Sequence, residues 1–515
     1  MATNRFQRYA IDTVAVGLNS MASGVVLIAL LPMLTRWLTP SEYGLMDLAQ
    51  VSVALVLPIL FLNIWDGVMR FSLDQGAPHA AILKVGLLIV SIGITGVLVL
   101  GIVLSAVTDL DPRLVWSAVG LAVAMSCRSL LSEFARGMGR IWVYSITGIV
   151  VSMVLLVGAV VLVGVLRFGL TGILAALIAS EVCGISWVAL RLPVWKYLVK
   201  NTFDWGLTRR MVKYAGPTTA EAAAWWGINM LNRFFVVFYL GTAANGVLAA
   251  ASKIPSIATT GSLVLRQSWR MSAAREYESE DRADYYSAMF TIYASIQFLM
   301  VSVLLAVLKP LMALLVGPAM GDAWRYVPFL LLGSVYSAIS TFLGVNNEAG
   351  KRTLGLLLTT LCAAVTGLTL NWILIPRIGL MGSVISTLAA YVLLVALRLH
   401  FSLKIAPYRI EWKPLALANL IVIAQGAALY ILSGWWLFGV EAALLIACVV
   451  ARFSVVRGLF GFAGQWWTSR RGGTGSSSQD EDEGEGEEQS MPEASEAADE
   501  RVRLEQIEQI ETEIQ

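Results

Sequence analysis

Histidine and formal charge are both scarce in this chain. His79 and His400 are the only histidines among 515 residues. No Ser/His/Asp or Cys/His arrangement is therefore available within the apolar runs, which removes those forms of nucleophilic catalysis. Nucleotide chemistry is missing too. The run Asn346 to Arg352 bears a superficial likeness to a phosphate loop. Val345 stands where the first glycine should be, and Arg352 replaces the Ser or Thr. Without a nucleotide site, any work must come from an ion gradient, the membrane potential or the substrate's own gradient. No cofactor or metal site is expected. The four cysteines (Cys127, Cys183, Cys362, Cys448) all lie in apolar runs and read as small buried hydrophobes. No cleavable leader is expected, since the first apolar run is too long and offers no small-residue cleavage site. Charged residues make up only 14% of the chain, against about 25% for an average soluble domain. The net charge of +2 gives no reason to expect nucleic acid as a partner.

What the chain has instead is 57% hydrophobic residues in recurring runs, many long enough for the ~20-residue span of a bilayer helix. Strands of a barrel would alternate rather than run continuously. The chain reads as an all-α polytopic membrane protein of about fourteen spans. They lie near 10–35, 44–68, 84–107, 114–135, 142–165, 170–190, 212–239, 245–268, 285–308, 325–344, 354–375, 380–399, 414–433 and 436–456. Lys and Arg concentrate in the even-numbered connections and at both ends; the odd connections hold few. The positive-inside rule then places both termini in the cytoplasm. The outward connections are short and leave no room for an external catalytic domain.

A repeat runs through the pattern. Leu38-Thr39-Pro40-Ser41-Glu42-Tyr43-Gly44 forms a polar hinge after span one, with a worn copy at Leu240 to Gly246. Arg167-Phe168-Gly169-Leu170-Thr171-Gly172 returns as Arg377-Ile378-Gly379-Leu380-Met381-Gly382, Gly139-Arg140 as Gly350-Lys351, and Val188 to Leu192 as Val395 to Leu399. Spans one to six thus align with seven to twelve. The halves share one orientation, related by an axis along the membrane normal. The domain reading is an N-lobe over 1–200, a C-lobe over 201–408, an appended pair of spans over 409–460, and an acidic tail over 461–515. The tail has too little apolar surface to order itself. Its last segment, Asp499 to Gln515, has near-helical apolar spacing that suits docking on a partner.

Polar residues inside spans are costly and by default mark function. Span seven carries Glu221, Trp225, Asn229 and Asn232 at helical spacing, with Arg233 beside them. Span eight carries Lys253, Ser256, Thr260 and Gln267 on a stripe, with Arg266 toward the cytoplasm. Span one adds Asn19, span two Asn63, and span four Arg128. If spans one, two, seven and eight face each other, they line a water-filled cavity, and Pro58, Pro217 and Pro255 permit three of them to bend. Each residue also has a plainer reading. Arg233 is near enough the outer end to snorkel. Lys253 is placed to pair with Glu221 or Asp47. Arg266 and Arg270 suit a cytoplasmic boundary. Asp66 and Arg70 suit an i,i+4 helix-end pair. Arg128 and Glu181 each suit a carboxylate–cation pair within their own lobe. A cavity of cations and amides suits an anionic head with hydroxyls, such as a diphosphate-linked sugar.

The Leu-Thr-Pro-Ser-Glu-Tyr-Gly hinge resembles that of Wzx-like polysaccharide-repeat-unit (O-antigen) flippases of the multidrug/oligosaccharidyl-lipid/polysaccharide superfamily. So do Asn232-Arg233, then Leu240-Gly241, Gly246 and Ala251-Ser252-Lys253-Ile254, and later Gly350-Lys351, Asn371, Pro376, Gly379 and Gly382. The likeness covers roughly residues 5 to 460. It departs where the family pattern often has an acidic residue at position 232 and an aromatic at 245. The resemblance implies two six-helix lobes, alternating access, and export of an undecaprenyl-diphosphate-linked oligosaccharide across a bacterial cytoplasmic membrane. It implies no enzymatic step, with lipid-linked oligosaccharide and membrane lipid as partners. Polysaccharide-synthesis proteins are partners to consider for the tail. An ion-coupled multidrug-type antiporter and a lipid II-type flippase are the alternatives on the same fold. A membrane glycosyltransferase would need an outer loop or acidic motif that is not visible.

Overall fold

The computed structural model describes residues 24–452, apart from 27, 75, 200–203, 276–281, 350–352 and 406–408. The acidic tail, Asn19 and the first turns of span one lie outside the described residues.

The chain is a bundle of helices: α1 (Gly24–Trp37), α2 (Pro40–Phe61), α3 (Ile64–Ser72), α4 (His79–Val107), α5 (Pro112–Gly137), α6 (Ile141–Gly158), α7 (Gly169–Arg191), α8 (Val194–Val199), α9 (Trp205–Met230), α10 (Asn232–Leu240), α11 (Thr242–Arg275), α12 (Arg282–Ala306), α13 (Leu308–Leu315), α14 (Val327–Ala349), α15 (Thr353–Ile378), α16 (Leu380–Ile405), α17 (Trp412–Ile431) and α18 (Gly434–Ala451). Among the described residues, eleven helices are long and apolar enough to cross a membrane. These eleven coincide with expected spans; α1, α9–α10 and α11, at three further expected positions, stand outside that count.

Local chemistry sets the helix ends. Thr39 caps α2: its hydroxyl accepts from Glu42 N at 3.2 Å, and Thr39 N donates to the Glu42 carboxylate at 2.9 Å. Pro40 fills the first helical position, where its missing N–H costs nothing. Asp204 caps α9 through Gly206 N and Leu207 N. In the second hinge, Gly241 stands where Thr39 stands in the first. It ends α10 with a φ of 83°, a left-handed region where glycine pays no steric penalty.

Span two is not one helix. Leu62 and Asn63 both take left-handed φ values, 54° and 42°, and separate α2 from α3. Such values in non-glycine residues cost of order 1 kcal/mol or more each and persist only where packing holds them. Phe61 and Ile64, on either side of the break, are completely buried and supply that packing. Beyond the break Arg70 pairs with Asp74 at 2.7 Å. The expected Asp66–Arg70 pair is therefore not made; the partner lies one turn the other way.

The bundle packs as two repeats. In the first, α6 and the helical segment Ala159–Val165 that continues it fold back on α7 with Gly172 against the Leu162 carbonyl; in the second, α15 folds back on α16 with Gly382 against the Leu374 carbonyl. A Cβ on either glycine would meet that carbonyl oxygen at 3.0 Å or less. The repeated Gly-x-x-Gly spacing thus makes a close hairpin twice. The appended α17 and α18 pack against α12. Gln425 joins all three: it accepts from the Ser302 hydroxyl at 2.7 Å and donates to the Glu441 carboxyl at 3.0 Å. Cys448 is buried, but Cys183 and Cys362 are exposed on helix surfaces, so only part of the cysteine expectation holds.

Candidate functional site at the seam of the two repeats

The two hinges lie against each other. A Cβ on Gly44 would sit 1.9 Å from the Thr242 carbonyl oxygen, and one on Gly246 would sit 1.9 Å from the Pro40 carbonyl oxygen. Pro40 and Thr242 hold the same place in the two copies, as do Gly44 and Gly246. The contact is reciprocal, as a twofold relation demands. The Ser41 and Thr242 hydroxyls meet across it at 2.6 Å. The seam is also fastened at the end of α1. Thr35 Oγ1 accepts from Gly317 N at 2.9 Å, and Arg36 donates to the Leu314 carbonyl at 3.1 Å.

Just inside this crossing, the copies differ, and the differences make the site. Asn245, which aligns with Tyr43, is fully buried. Its amide donates to the Gly44 carbonyl at 2.9 Å and to Asp47 Oδ2 at 3.2 Å. Arg233, on α10, reaches the same Asp47 Oδ2 at 3.0 Å, with the side chains only 9% and 12% exposed. The contact is Coulombic: the Nη1 group has no well-directed hydrogen bond among the described residues. Lys253, on α11, lies near enough to feel the charges of both Asp47 and Arg233. Tyr43 is buried beside them. One described carboxylate thus faces two cations.

The other predicted residues divide. Arg233 does not snorkel; it is held at the seam. Arg128 forms an ion pair with Glu181, joining α5 to α7 within the first repeat. Asn232 turns from the seam toward α16 and donates to Thr387 at 3.4 Å. Asn63 is half-buried at the α2–α3 break. Thr260 is exposed, and its hydroxyl donates back to the Ser256 carbonyl at 2.8 Å. Arg266 is half-buried, within electrostatic reach of Tyr293. Glu221, Trp225, Asn229 and Gln267 fall on α9 and α11, and their side chains lie outside the described residues, as does Asn19. Trp226, next to Trp225, donates to the Val51 carbonyl at 2.8 Å and ties α9 to α2.

Two members of the cluster carried little weight in the sequence. Asp47 entered only as a partner for Lys253, and Asn245 only as a departure from a family pattern. The available signal was the hinge alignment: at Tyr43/Asn245 and Asp47/Ala249 the polar chemistry of the copies is unequal.

Neither a family model nor a curated protein sequence matches the chain. Solved structures do. The lipid II flippase MurJ in its inward closed conformation aligns over 88% of this chain and all of its own, at 12% identity and a TM-score of 0.63. A multidrug resistance MATE family transporter of the MOP superfamily aligns in its inward-facing conformation over 75% of this chain and 94% of its own, at 14% identity and a TM-score of 0.57. An outward-facing MATE structure gives 14% identity and a TM-score of 0.53, over 76% and 95%. At such identities the likeness is one of fold. The chain is a multi-pass membrane protein with the helical fold shared by these transport proteins.

Proposed function

We propose that this protein is a flippase that moves an undecaprenyl-diphosphate-linked oligosaccharide across a bacterial cytoplasmic membrane, by alternating access of its two six-helix lobes, for surface polysaccharide synthesis. The observation that carries the reading is the excess of cation at the seam. Arg233 pairs with Asp47 but its Nη1 lacks a directed acceptor, and Lys253 stands on the adjoining α11. A diphosphate offers several oxygens to such a pair. Entry of the head group would let Arg233 exchange Asp47 for phosphate, and the freed Asp47 would keep its amide bond from Asn245. That exchange gives the substrate a differential interaction with two states of the seam, which any ligand-driven switch requires. The Gly44–Gly246 crossing is the natural pivot, since backbone lies on backbone there and the side-chain contacts across it are the small Ser41–Thr242 pair and the Asn245 amide.

The orientation that goes with this reading has both termini in the cytoplasm, the lobes over 1–200 and 201–408, and spans thirteen and fourteen as an appendage over 409–460. Glu221, Asn229, Trp225, Gln267, Asn19 and Thr260 are the further candidates for sugar contacts. The test is loss of the gene in its native cell. Lipid-linked oligosaccharide should accumulate in the cytoplasmic leaflet, and surface polysaccharide should fall. A second reading, an ion-coupled multidrug-type antiporter, rests on Asp47 as a largely enclosed carboxylate at the seam. Proton-driven efflux of a cationic dye by the purified protein, lost in Asp47→Asn, would favour it.

A further inference from the structure

Asn232 and Arg233 open α10 and point apart. Arg233 crosses the seam to Asp47 at 3.0 Å. Asn232 turns the other way, and its amide donates to Thr387 Oγ1 on α16 at 3.4 Å. The helix that carries both is short: α10 holds nine residues, Asn232–Leu240, and stops at Gly241 with a φ of 83°. Farther along it, Val236 is fully buried in a cluster with Ile375 of α15 and Leu380 and Val384 of α16. Those contacts hold α10 against its neighbours, but apolar burial is non-directional and leaves rotation about the helix axis poorly fixed. Directed hydrogen bonds at the first turn can fix it.

A narrow cleft lies at this end of α10, lined by Asn232, by Asn371 of α15 and by Thr387. Its free volume is about 20 Å³, and one water needs about 10–15 Å³ on the same measure. The Oδ1 atoms of Asn232 and Asn371 are both sealed from solvent and have no hydrogen-bond partner among the described residues. Asn371 as a whole is 4% exposed. The orientation of Asn232 follows from its neighbour. Thr387 spends its hydroxyl proton on the Ser383 carbonyl at 2.9 Å, so it accepts from Asn232 Nδ2, and Asn232 Oδ1 is the free acceptor. Two sealed acceptors around room for one water match the two hydrogens of a single water. Leaving both unmet would cost the desolvation of each.

We propose that one buried water in this cleft donates to both asparagine oxygens and pins α10 to α15, which makes Asn371 and Thr387 positioning residues for Arg233. Asn232 and Arg233 are consecutive on one helix, about 100° apart around it. An anchor that fixes the rotation of Asn232 therefore fixes that of Arg233. Arg233 needs such an anchor, because its Nη1 makes no well-directed hydrogen bond of its own. What Arg233 then does in transport rests on the flippase reading; the pin itself is tested without transport.

The measurement is the Tm of the full-length protein in detergent, with and without Asp47→Asn, in several backgrounds. In the wild type that substitution should lower Tm, because Arg233 loses its described counter-ion. Asn371→Leu removes one acceptor and fills the cleft. It should shrink the Asp47→Asn loss to less than about half, since Arg233 is no longer held toward Asp47 and the two sites become uncoupled. Thr387→Val, which removes the hydroxyl at nearly constant volume, should do the same, while Thr387→Ser should keep the full loss. If Asn371→Leu does not fold, the two Thr387 variants carry the comparison. A cryo-EM map of the wild type that shows ordered waters should hold one peak within hydrogen-bond distance of both oxygens.

An undiminished Asp47→Asn loss in either Asn371→Leu or Thr387→Val overturns the proposal, even where those variants lower Tm themselves, because the residue is then structural only. A map without the peak overturns it. So does a Tm that rises on exchange of choline for sodium in the wild type but not in Asn371→Leu, since the guest is then a cation. Asp47→Asn without effect in the wild type also overturns it, because Arg233 then has no anion at the seam to be positioned for. None of these results touches the accumulation of lipid intermediate on loss of the gene, by which the transport reading stands or falls.

Discussion

Gly44 and Gly246 occupy the same place in two copies of one hinge, and each lies against the other copy's backbone. A methyl group on either would meet a carbonyl oxygen at 1.9 Å. Because the obstacle is backbone, no rotamer change relieves it. Gly44→Ala and Gly246→Ala should each destabilise the protein by about 2 kcal/mol or more, read as a lower Tm in detergent. Gly216→Ala is the control. Nothing lies within 4 Å of its added Cβ, and alanine is the better helix former by about 1 kcal/mol. Equal behaviour of all three variants would mean that the hinges do not cross.

The Asp47–Arg233 pair makes a second prediction. Asp47→Asn keeps the size of the side chain but leaves Arg233 without its described counter-ion. Loss of one partner from a buried pair costs about 3–5 kcal/mol. Tm should fall, and Asp47→Arg combined with Arg233→Asp should recover part of the loss. Asp47→Asn with wild-type stability would show that Arg233 finds its anion elsewhere.

Arg128 and Glu181 should behave differently. They join α5 to α7 inside one repeat, and Gly184 packs on the Arg128 stem. Arg128→Ala and Glu181→Ala should each destabilise, while the double variant loses less than their sum by about 1–3 kcal/mol of coupling. Transport per folded molecule should stay near wild type. A transport defect in Arg128→Lys at unchanged Tm would return Arg128 to the substrate path.

The buried join at the appended helices is testable by the same means. Gln425→Leu strands the Glu441 carboxyl and the Ser302 hydroxyl together, at a cost of about 1–3 kcal/mol for each unmet group. Pairing Gln425→Leu with Glu441→Leu should recover the part of the loss that the stranded carboxyl causes, since an apolar replacement of both partners is close to neutral. If the single variant is as stable as the wild type, α17 and α18 are held by apolar packing alone.

The fold was legible because bilayer spans declare themselves by local composition, and because Leu38 to Gly44 and Leu240 to Gly246 repeat at one offset. Arg233 and Lys253 were legible because a charge inside a span is costly wherever it lies. The partners were not. Glu181 lies 53 residues from Arg128, and Asp47 reaches Arg233 only because the hinges cross. Burial of Asn245 depends on the absence of side chains at Gly44 and Gly246, which periodicity does not report. The left-handed pair Leu62–Asn63 gave little signal: Asn63 is a type that tolerates such values but Leu62 is not, and Phe61 and Ile64 are fully buried on either side. Asn232 stood on the same stripe as Arg233 by sequence spacing. The two are adjacent residues, about 100° apart around a helix, and that angle sends one to α16 and the other to the seam.

Lys253 tests the account most directly, since it is the seam cation that Asp47 does not contact as a pair. In cells lacking the native gene, wild-type protein should clear lipid-linked oligosaccharide from the cytoplasmic leaflet and restore surface polysaccharide. Lys253→Ala, at equal protein level and equal Tm, should leave the intermediate in place. Full restoration by Lys253→Ala, or no accumulation of intermediate on loss of the gene, would contradict the proposed function.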